Sequence, residues 1–408
     1  MTGHEVCIQD GRVAQVRPAT GPVELPGRLL LPGLVNAHSH AFQRGLRGHV
    51  QWTEGGRDDF WSWRERMYGL ARTLDPDGIE AVSALAFLEM ALAGFTAVGE
   101  FHYLHHSPDG RPYADPDELA RRVIRAATRV GIRIALLRVS YGRGGEKRFR
   151  DRDADDALLA CERLGRVTDP RVTVGLAPHS VRAVPGDWLK AFSGFQGPIH
   201  AHVSEQPREN AECLNEHGMS PAELFEDSGL LSERFTAVHM TWPQLPNDGE
   251  RLRRTGARVC ACPTTELDLG DGFLPLDHLA QVPLCIGTDS HALIDPFVEL
   301  RSLEWHARAC QGRRNVLTPP GAQDALAHRL LEIGSAEGRR ALAIEPDVAD
   351  FIAVDLNDPR MAGAQPLTAA LWGAARVTDV WVAGQRIVQH GLHPLQREIV
   401  DQARRVLS

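Results

Sequence analysis

The chain has 408 residues, of which 43 % are apolar and 24 % are charged, and this usage excludes a disordered, collagen-like or coiled-coil protein. The formal net charge of −8 argues against a nucleic-acid partner, because such a partner needs a basic surface. The seven cysteines form no CxxC pair, which predicts reduced thiols. We find no apolar stretch long enough to cross a membrane and no signal-like segment in residues 1–10. Together these features predict a cytoplasmic protein.

The first predicted elements are short strands. Residues 6–8, 13–16 and 28–31 have β character, and Asp10-Gly11 is a typical hairpin turn. From residue 30 onward, short apolar, β-branched runs alternate with helical stretches. We predict eight strands of one sheet, at residues 34–37, 96–100, 132–139, 172–177, 198–203, 236–239, 258–262 and 283–287.

Helical periodicity lies between these strands. Examples are residues 77–93, 115–130, 153–164 and 299–309. Strands that alternate with helices imply a parallel sheet, and eight such units over about 300 residues imply a closed (β/α)8 barrel. A doubly wound open sheet is the alternative, but it normally has a Gly-rich phosphate turn after the first strand, and this sequence has none there.

The last part of the chain returns to β character. Residues 347–355 and 377–388 read as strands, and Ala383-Gly384 reads as a hairpin turn. The prediction is therefore an α/β chain with a TIM-like barrel and a small flanking β-sandwich domain built from both terminal segments. The predicted bounds are 31–344 for the barrel, 1–30 plus 345–395 for the small domain and 396–408 for a C-terminal helix.

Polar side chains occupy the ends of several predicted barrel strands. His38 and His40 end the first strand, and residues i and i+2 of an extended segment point to the same face. His202 lies on the fifth strand, His239 ends the sixth, and Asp289 follows the eighth. The carboxyl ends of barrel strands meet at one mouth, where histidines and a carboxylate can bind Zn²⁺ or Fe²⁺.

Each of these residues also has an ordinary interpretation. A lone HxH occurs by chance, a lone strand-end histidine is usually only hydrogen-bonded, and the aspartate of Thr-Asp-Ser is often a helix N-cap. The joint pattern at four strands favours a metal site. His200 shares a face with His202 and is a rival ligand. Histidines 102, 105 and 106 do not favour a second metal, and Cys260 and Cys262 are expected to pack in the core.

Residues 31–40, LPGLVNAHSH, resemble the opening motif of the amidohydrolase superfamily. Within it, the chain is similar to the formimidoylglutamate deiminases of histidine degradation. The match extends through His202, His239 and Asp289 and covers essentially the whole chain. The further motifs that carry it are HAFQR at 40–44, FWSWRERMY at 60–68, EFHYLHH at 100–106, APHSVR at 177–182 and HAHVSEQ at 200–206.

The resemblance implies one divalent metal ion, with Zn²⁺ expected and Fe²⁺ as the alternative. Dinuclear members of the superfamily use a carboxylated lysine at the end of strand four, where this chain reads APH at 177–179. Its two lysines, Lys147 and Lys190, lie elsewhere. His202 is preferred to His200 because it places Glu205 three residues on, as in the deaminase branch. The implied ligands are His38, His40, His202 and Asp289.

The reaction implied by the resemblance is hydrolysis of N-formimidoyl-L-glutamate to N-formyl-L-glutamate and ammonia. Asp289 and His239 would accept the proton of the attacking water, and Glu205 would handle protons on the substrate nitrogen. Arginine suits the two substrate carboxylates because its guanidinium makes bidentate hydrogen bonds. The implied substrate-binding residues are Gln43, Arg64, Tyr103, His179 and Arg182.

Several alternatives stay open. Arg64 could belong to a solvated helix face, and Tyr103 could pack at the barrel rim. One alternative function is an aromatic-base deaminase for guanine or an adenosine-like substrate, which would require an aromatic or amide-lined pocket in place of two arginines. A non-catalytic metal-binding protein would not need Glu205 and His239. The expected partner is a small dicarboxylate amidine, with no nucleic acid and no membrane, and a homodimer is expected.

Overall fold

The computed structural model describes residues 4–21, 25–52, 55, 58–279, 281–318, 321–373 and 376–408. Residues 1–3, 22–24 and 374–375, which belong to the predicted terminal domain, lie outside the described residues. The strands in the described ranges are β1 His4–Gln9, β2 Arg12–Pro18, β3 Arg28–Pro32, β4 Leu34–Ser39, β5 Phe95–His102, β6 Arg133–Ser140, β7 Val172–Pro178, β8 Ile199–Val203, β9 Phe235–His239, β10 Arg258–Ala261, β11 Leu284–Ile286, β12 Phe351–Asp355, β13 Val377–Val382 and β14 Gln385–Val388.

Helices connect most of these strands. The α-helices are α1 Phe60–Thr73, α2 Pro76–Ala93, α3 Glu118–Val130, α4 Ala154–Leu164, α5 Gly186–Ala191, α6 Pro207–His217, α7 Pro221–Asp227, α8 Asn247–Thr255, α9 Pro263–Leu269, α10 Pro296–Gln311, α11 Ala325–Glu332, α12 Gly338–Ala341, α13 Pro366–Trp372 and α14 Gln396–Leu407. Short 3-10 turns lie at Ala41–Leu46, Lys147–Phe149, Phe192–Gly194 and Pro359–Met361, and a π turn lies at Ile333–Glu337.

The strands β4 to β11 form one parallel sheet in chain order, and all eight predicted barrel strands are confirmed. Backbone hydrogen bonds link its two edges. The His38 carbonyl accepts from the N–H groups of Thr288 and Asp289 at 3.1 Å each, and the His40 N–H donates to the Asp289 carbonyl at 3.1 Å. The sheet is thereby nearly closed, and the seam places two histidines beside Asp289.

Helix boundaries follow local signals. The helix α2 begins after Asp75, whose side chain accepts the Gly78 N–H at 2.7 Å, and it ends at Gly94, with φ of 104°. The prediction started α3 at residue 115, three residues too early. The Asp115 carboxylate instead accepts the Asp117 N–H at 2.9 Å, which makes a turn before Glu118.

The terminal segments form two antiparallel sheets beside the barrel. The strand β3 pairs with β12, which pairs with β13 and then β14, and β1 pairs with β2. The Val13 N–H donates to the Asp347 carbonyl at 2.8 Å and joins the first hairpin to the C-terminal part. Pairing of the two termini thus agrees with the predicted fold class, while the exact domain bounds stay a prediction. The C-terminal helix α14 packs against α2.

A buried ion pair joins the barrel to the terminal sheet. Arg133 on β6 donates from Nε to Asp350 Oδ2 at 2.7 Å, and the Asp350 Oδ1 also accepts the Ala383 N–H at 2.8 Å. The two side chains are only 8 % and 1 % exposed. We expect Arg133→Met to lower the free energy of unfolding by about 3–5 kcal/mol, because it leaves a buried carboxylate without its cation.

Chemical denaturation of the variant and the wild type measures this loss. The matched control is Arg12→Met, because Arg12 pairs with Asp347 at 2.5 Å while half exposed. Water screens that pair, so the control should unfold at nearly the wild-type denaturant concentration. Equal midpoints for Arg133→Met and the wild type would show that the buried pair does not hold the two sheets together.

Candidate metal centre and active-site cavity

Four side chains from three strand ends converge at the carboxyl-terminal mouth of the barrel. His38 lies on β4 and His40 directly follows it, His202 lies on β8, and Asp289 lies in the segment after β11. Their ligand atoms all lie within 4.8 Å of one another, and all four residues are buried. Asp289 Oδ1 lies 3.3 Å from His38 Nε2 and 3.2 Å from His40 Nε2. His202 Nε2 lies 3.2 Å from His38 Nε2. The structure brings together all four predicted ligands.

The hydrogen bonds of the histidines fit a bound cation. His40 Nδ1 lies 3.0 Å from the Phe101 carbonyl, and His202 Nδ1 lies 3.1 Å from the His179 carbonyl. A carbonyl only accepts, so each Nδ1 carries the proton and each Nε2 keeps a lone pair toward the cluster centre. Burial lowers the pKa of His38 to about 3 and that of His202 well below its usual range, which keeps both rings neutral. Converging lone pairs and a carboxylate oxygen suit a divalent metal ion.

Glu100, at the end of β5, supports this cluster and was not identified from the sequence. Its Oε2 accepts from Ser39 Oγ at 2.6 Å and its Oε1 accepts from the Ala41 N–H at 2.8 Å. Burial raises the pKa of Glu100 to about 7, although these hydrogen bonds act in the opposite direction. Glu100 thereby fixes the chain on both sides of His40. The feature of the sequence that could have identified Glu100 is a carboxylate at the end of the predicted strand 96–100.

Several non-glycine residues around the centre have left-handed backbone conformations. The φ angles are 50° for Ser204, 73° for His239, 44° for Asp289 and 61° for His291. Each such residue costs about 1–3 kcal/mol and persists only where its surroundings impose it. The Asp289 turn is held by its neighbours, since His291 Nδ1 lies 2.9 Å from Thr288 Oγ1. The strained turns direct the functional side chains into the mouth of the barrel.

His239 ends β9 beside the cluster. Its Nε2 lies 3.7 Å from Glu205 Oε1 and 3.9 Å from Asp289 Oδ2, and its Nδ1 lies 3.5 Å from Glu266 Oε1. Burial lowers the pKa of His239, but the close contact with the Glu266 carboxylate and the charges of Glu205 and Asp289 outweigh it and raise the pKa to about 10. A bound cation acts against these anions. Glu266, on α9, contacts the ring and was not identified from the sequence, because the contact joins the end of β9 to the helix that follows β10.

The rival histidine and the CxC pair have other contacts. His200 Nε2 lies 2.9 Å from the Ala341 carbonyl, away from the cluster, so the geometry favours His202 as the ligand. Cys260 and Cys262 are buried in the core, as expected. Cys262 also lies near His239 and Glu266, and burial raises the pKa of its thiol, which favours the protonated form.

A cavity of about 690 Å³, including its open mouth, lies above the cluster. Its lining contains every residue predicted to bind substrate, together with Glu205 and Asp289. Gln43 Nε2 donates to Tyr103 Oη at 2.8 Å, which ties two of these residues to each other. The aromatic part of the wall consists of Phe60, Trp63, Tyr68, Tyr103 and Tyr141, and the predicted substrate residues in it are Gln43, Arg64, Tyr103, His179 and Arg182.

Two guanidinium groups lie in the cavity wall. Arg182 follows β7, and its Nη2 donates to Glu205 Oε2 at 2.5 Å. Arg64, on α1, lies over the Trp61 ring with its Cζ 4.5 Å from the ring centroid. Arg64 is half-buried in the cavity and does not belong to a solvated helix face. Trp63, also on α1, lines the same cavity.

We expect the purified protein to bind one divalent metal ion per chain, and His202→Asn to lose it. The second lysine of the chain, Lys190, lies on α5 and pairs with Asp227 at 3.4 Å, so it does not bridge two metals at this cluster. Metal analysis of both proteins measures the stoichiometry. The matched control is His200→Asn, which should keep the metal. Two stoichiometric ions per active chain would contradict the single-metal interpretation.

Comparisons with known proteins agree with this architecture. A model of the amidohydrolase family matches residues 29–387. The formimidoylglutamate deiminase of Pseudomonas aeruginosa is 37 % identical, over 94 % of this chain and 90 % of that protein. A 5-methylthioadenosine/S-adenosylhomocysteine deaminase of Halobacterium salinarum is 30 % identical, over 88 % of this chain and 80 % of that protein.

Solved structures of amidohydrolase and deaminase proteins also resemble this chain in fold. An amidohydrolase from Brucella melitensis superposes with a TM-score of 0.91 at 32 % identity, covering 99 % of this chain and 95 % of that one. An adenosine deaminase from Xanthomonas campestris, solved with bound zinc, superposes with a TM-score of 0.84 at 25 % identity, covering 100 % and 93 %. The sheet is a nearly closed (β/α)8 barrel, and histidines and an aspartate cluster at the mouth where the active sites of barrel enzymes lie. The chain belongs to the amidohydrolase family.

The helices were also compared with the length and hydropathy that a membrane span requires. In the part of the chain that the structure describes, no helix is both long enough and apolar enough to cross a bilayer.

Proposed function

We propose that the protein is a metal-dependent deiminase that hydrolyses N-formimidoyl-L-glutamate to N-formyl-L-glutamate and ammonia in histidine degradation. The observation that carries this proposal is the pair of guanidinium groups, Arg64 and Arg182, in the wall of a cavity whose floor is the His-His-His-Asp cluster. A substrate with two carboxylates and one amidine matches that arrangement of charge. Likeness to the deiminase of Pseudomonas aeruginosa supports it.

The metal would be held by His38, His40, His202 and Asp289, the donor set that the geometry assembles. Three imidazole nitrogens and one carboxylate favour Zn²⁺, with Fe²⁺ as the alternative. When bound, the ion supplies Lewis acidity and makes water a nucleophile near neutral pH. The hydrogen bonds of His40 and His202 to backbone carbonyls keep their Nε2 atoms directed at the ion.

Three residues would move protons in the proposed reaction. Asp289 lines the cavity, and its Oδ2 lies 3.9 Å from His239 Nε2. These two groups would accept the proton of the attacking water once a bound cation offsets the anions that raise the pKa of His239. Glu205 Oε1 lies 3.7 Å from the same His239 nitrogen and would pass a proton to the leaving nitrogen. Water oxygen bonds to the amidine carbon, the C–N bond to the unsubstituted nitrogen breaks, and ammonia leaves while the formyl group stays on glutamate.

The carboxylates of the substrate would be bound by Arg64 and Arg182, while Gln43, Tyr103 and His179 supply further polar contacts. All five line the cavity. Arg64 rests against Trp61 and Tyr68, with its Cζ 4.5 and 5.6 Å from their ring centroids, and these contacts restrict the guanidinium to the cavity side of α1.

A second candidate is an adenosine-type deaminase of the same family. The aromatic side chains of the wall, including Phe60, Trp63 and Tyr141, favour it because a purine ring stacks on aromatic faces. The 30 % identity with the 5-methylthioadenosine/S-adenosylhomocysteine deaminase of Halobacterium salinarum also supports it. The two wall arginines count against a neutral base. A purely metal-binding protein is disfavoured, because Glu205 and His239 add proton-transfer groups beyond the four ligands.

Ammonia release from formimidoylglutamate, 5′-methylthioadenosine and guanine, measured side by side on the metal-loaded protein, tests the proposal. We expect turnover of formimidoylglutamate and only trace release from the two purines. Preferred turnover of methylthioadenosine would overturn the proposed substrate and establish the second candidate instead.

We further infer a cytoplasmic enzyme whose partner is a small molecule. All seven cysteines lie in the described ranges and are free thiols, which suits a reducing compartment. The homodimer implied by the resemblance is tested by light scattering of the purified protein, and a monomer mass would contradict it.

A further inference from the structure

Arg182 lies between two carboxylates. Toward the cavity its Nη2 donates to Glu205 Oε2 at 2.5 Å, and on the other side its Nε lies 3.8 Å from Glu209 Oε1. The three side chains are 14 %, 7 % and 0 % exposed, in the order Arg182, Glu205, Glu209. Glu205 lines the substrate cavity, whereas Glu209 lines a separate pocket behind it, so the guanidinium separates a front carboxylate from a rear one.

The rear carboxylate is fixed in place. Glu209 Oε2 accepts the Glu205 backbone N–H at 3.0 Å, so the side chain is tied to the segment that carries Glu205. The Glu209 side chain is fully buried on α6. Glu209 therefore stays beside Arg182 even when Glu205 moves away. The buried guanidinium is not left without an anion, which would be energetically costly.

Two carboxylates can bind the cavity-facing edge of the Arg182 guanidinium, that of Glu205 and that of a substrate. Arginine offers five N–H donors in one plane, and a carboxylate binds best across two of them. Glu205 Oε2 already occupies Nη2 on the cavity side. A substrate carboxylate that enters the cavity has to share or replace that contact, because the rear edge faces Glu209.

We propose that Arg182 and Glu205 form a substrate-operated latch, in which a substrate carboxylate replaces Glu205 at the guanidinium and the released Glu205 turns to the nitrogen of the scissile bond. The inference rests on the proposed function, because it requires an anionic substrate. Released Glu205 stays beside His239, whose Nε2 is already 3.7 Å from its second oxygen. The exchange forms and breaks hydrogen bonds only.

The latch makes the charge of the substrate a condition for catalysis as well as for binding. A dicarboxylate frees the proton-carrying side chain as it binds. An amidine without carboxylates leaves Arg182 and Glu205 paired, so the proton-carrying group stays turned toward the arginine. Selection for an anionic substrate would then appear in kcat as well as in KM.

Calorimetric titration of the metal-loaded proteins with glutarate, a dicarboxylate without an amidine, tests the latch. Glu205→Gln removes the charged competitor for Arg182, so it should bind glutarate at least about tenfold more tightly than the wild type, the effect expected of one hydrogen bond to a charged group. The matched control is Glu266→Gln, which removes an equal buried charge near His239 without touching Arg182. The control should bind glutarate within about twofold of the wild type.

Three results would overturn the latch: unchanged or weaker glutarate binding by Glu205→Gln, equal tightening by Glu266→Gln, or no binding by any of the three proteins. The second result would show a general charge effect of the pocket. The ammonia assay with formimidoylglutamate is run on the same wild-type preparation. Ammonia release together with any of these results retains the proposed function and rejects the latch, whereas its absence rejects the proposed function alone.

Discussion

Glu205→Gln is expected to keep its metal and to lose about 10²- to 10⁴-fold in kcat on formimidoylglutamate, the usual effect of removing a positioned acid–base group. Glu205 is not one of the four clustered residues that would hold the metal, and its Oε1 lies 3.7 Å from His239 Nε2. Glutamine keeps the shape of the side chain but cannot carry a proton. Steady-state ammonia release and metal analysis of one preparation give both quantities.

The control for this variant is Glu212→Gln. Glu212 lies seven residues further on, on the exposed side of α6, and pairs with Arg208 at 2.6 Å. The same chemical change at that position should leave kcat and metal content at the wild-type level. Near-normal turnover by a metal-loaded Glu205→Gln would remove Glu205 from the mechanism.

Arg182→Met should lower kcat/KM on formimidoylglutamate by about 30- to several-thousand-fold. Losing one partner of a desolvated charge pair costs about 2–5 kcal/mol, and here the lost partner serves the substrate as well as Glu205 and Glu209. Methionine keeps a long side chain in the wall while removing every N–H donor. Metal content should be unchanged, since Arg182 contacts none of the four ligands in the described set of hydrogen bonds and ion pairs.

Two comparisons separate this effect from general damage. Arg182→Lys should recover little activity, because a point charge does not reproduce the planar fork of the guanidinium. Arg166→Met, at a 73 % exposed position on the protein surface, should behave as the wild type. Formamidine, which has no carboxylate, should be a poor substrate of the wild type and should not become poorer in Arg182→Met. Wild-type turnover of formimidoylglutamate by Arg182→Met would reject the carboxylate role and favour the adenosine-type alternative.

Much of the fold could be predicted because its signals are local. The short apolar runs of the barrel alternate with helical periodicity, and each predicted run corresponds to one of the strands β4 to β11. Turn residues mark the terminal hairpins, as at Ala383 and Gly384, with φ of 51° and 74°. The early start predicted for α3 shows the limit of periodicity, since the Asp115 side chain captures a backbone N–H and delays the helix.

The sequence also predicted the four residues of the cluster and the cavity residues, because parallel barrel strands present their carboxyl ends at one mouth and the family motifs mark those ends. Strand alternation alone puts His200 and His202 on one face of β8, and only the family resemblance favoured His202. The tertiary structure separates them, since His200 contacts the Ala341 carbonyl and His202 contacts His38.

Only the tertiary structure revealed the groups that contact these residues from other strands and helices. Glu100 fixes the chain around His40, Glu266 holds His239, and Glu209 lies behind Arg182. The pairing of Arg182 with Glu205 spans 23 positions and joins the ends of two neighbouring strands. Periodicity specifies which face of an element a side chain occupies, but contact between two elements depends on register and on the length and direction of each side chain, which are set by packing of the whole barrel.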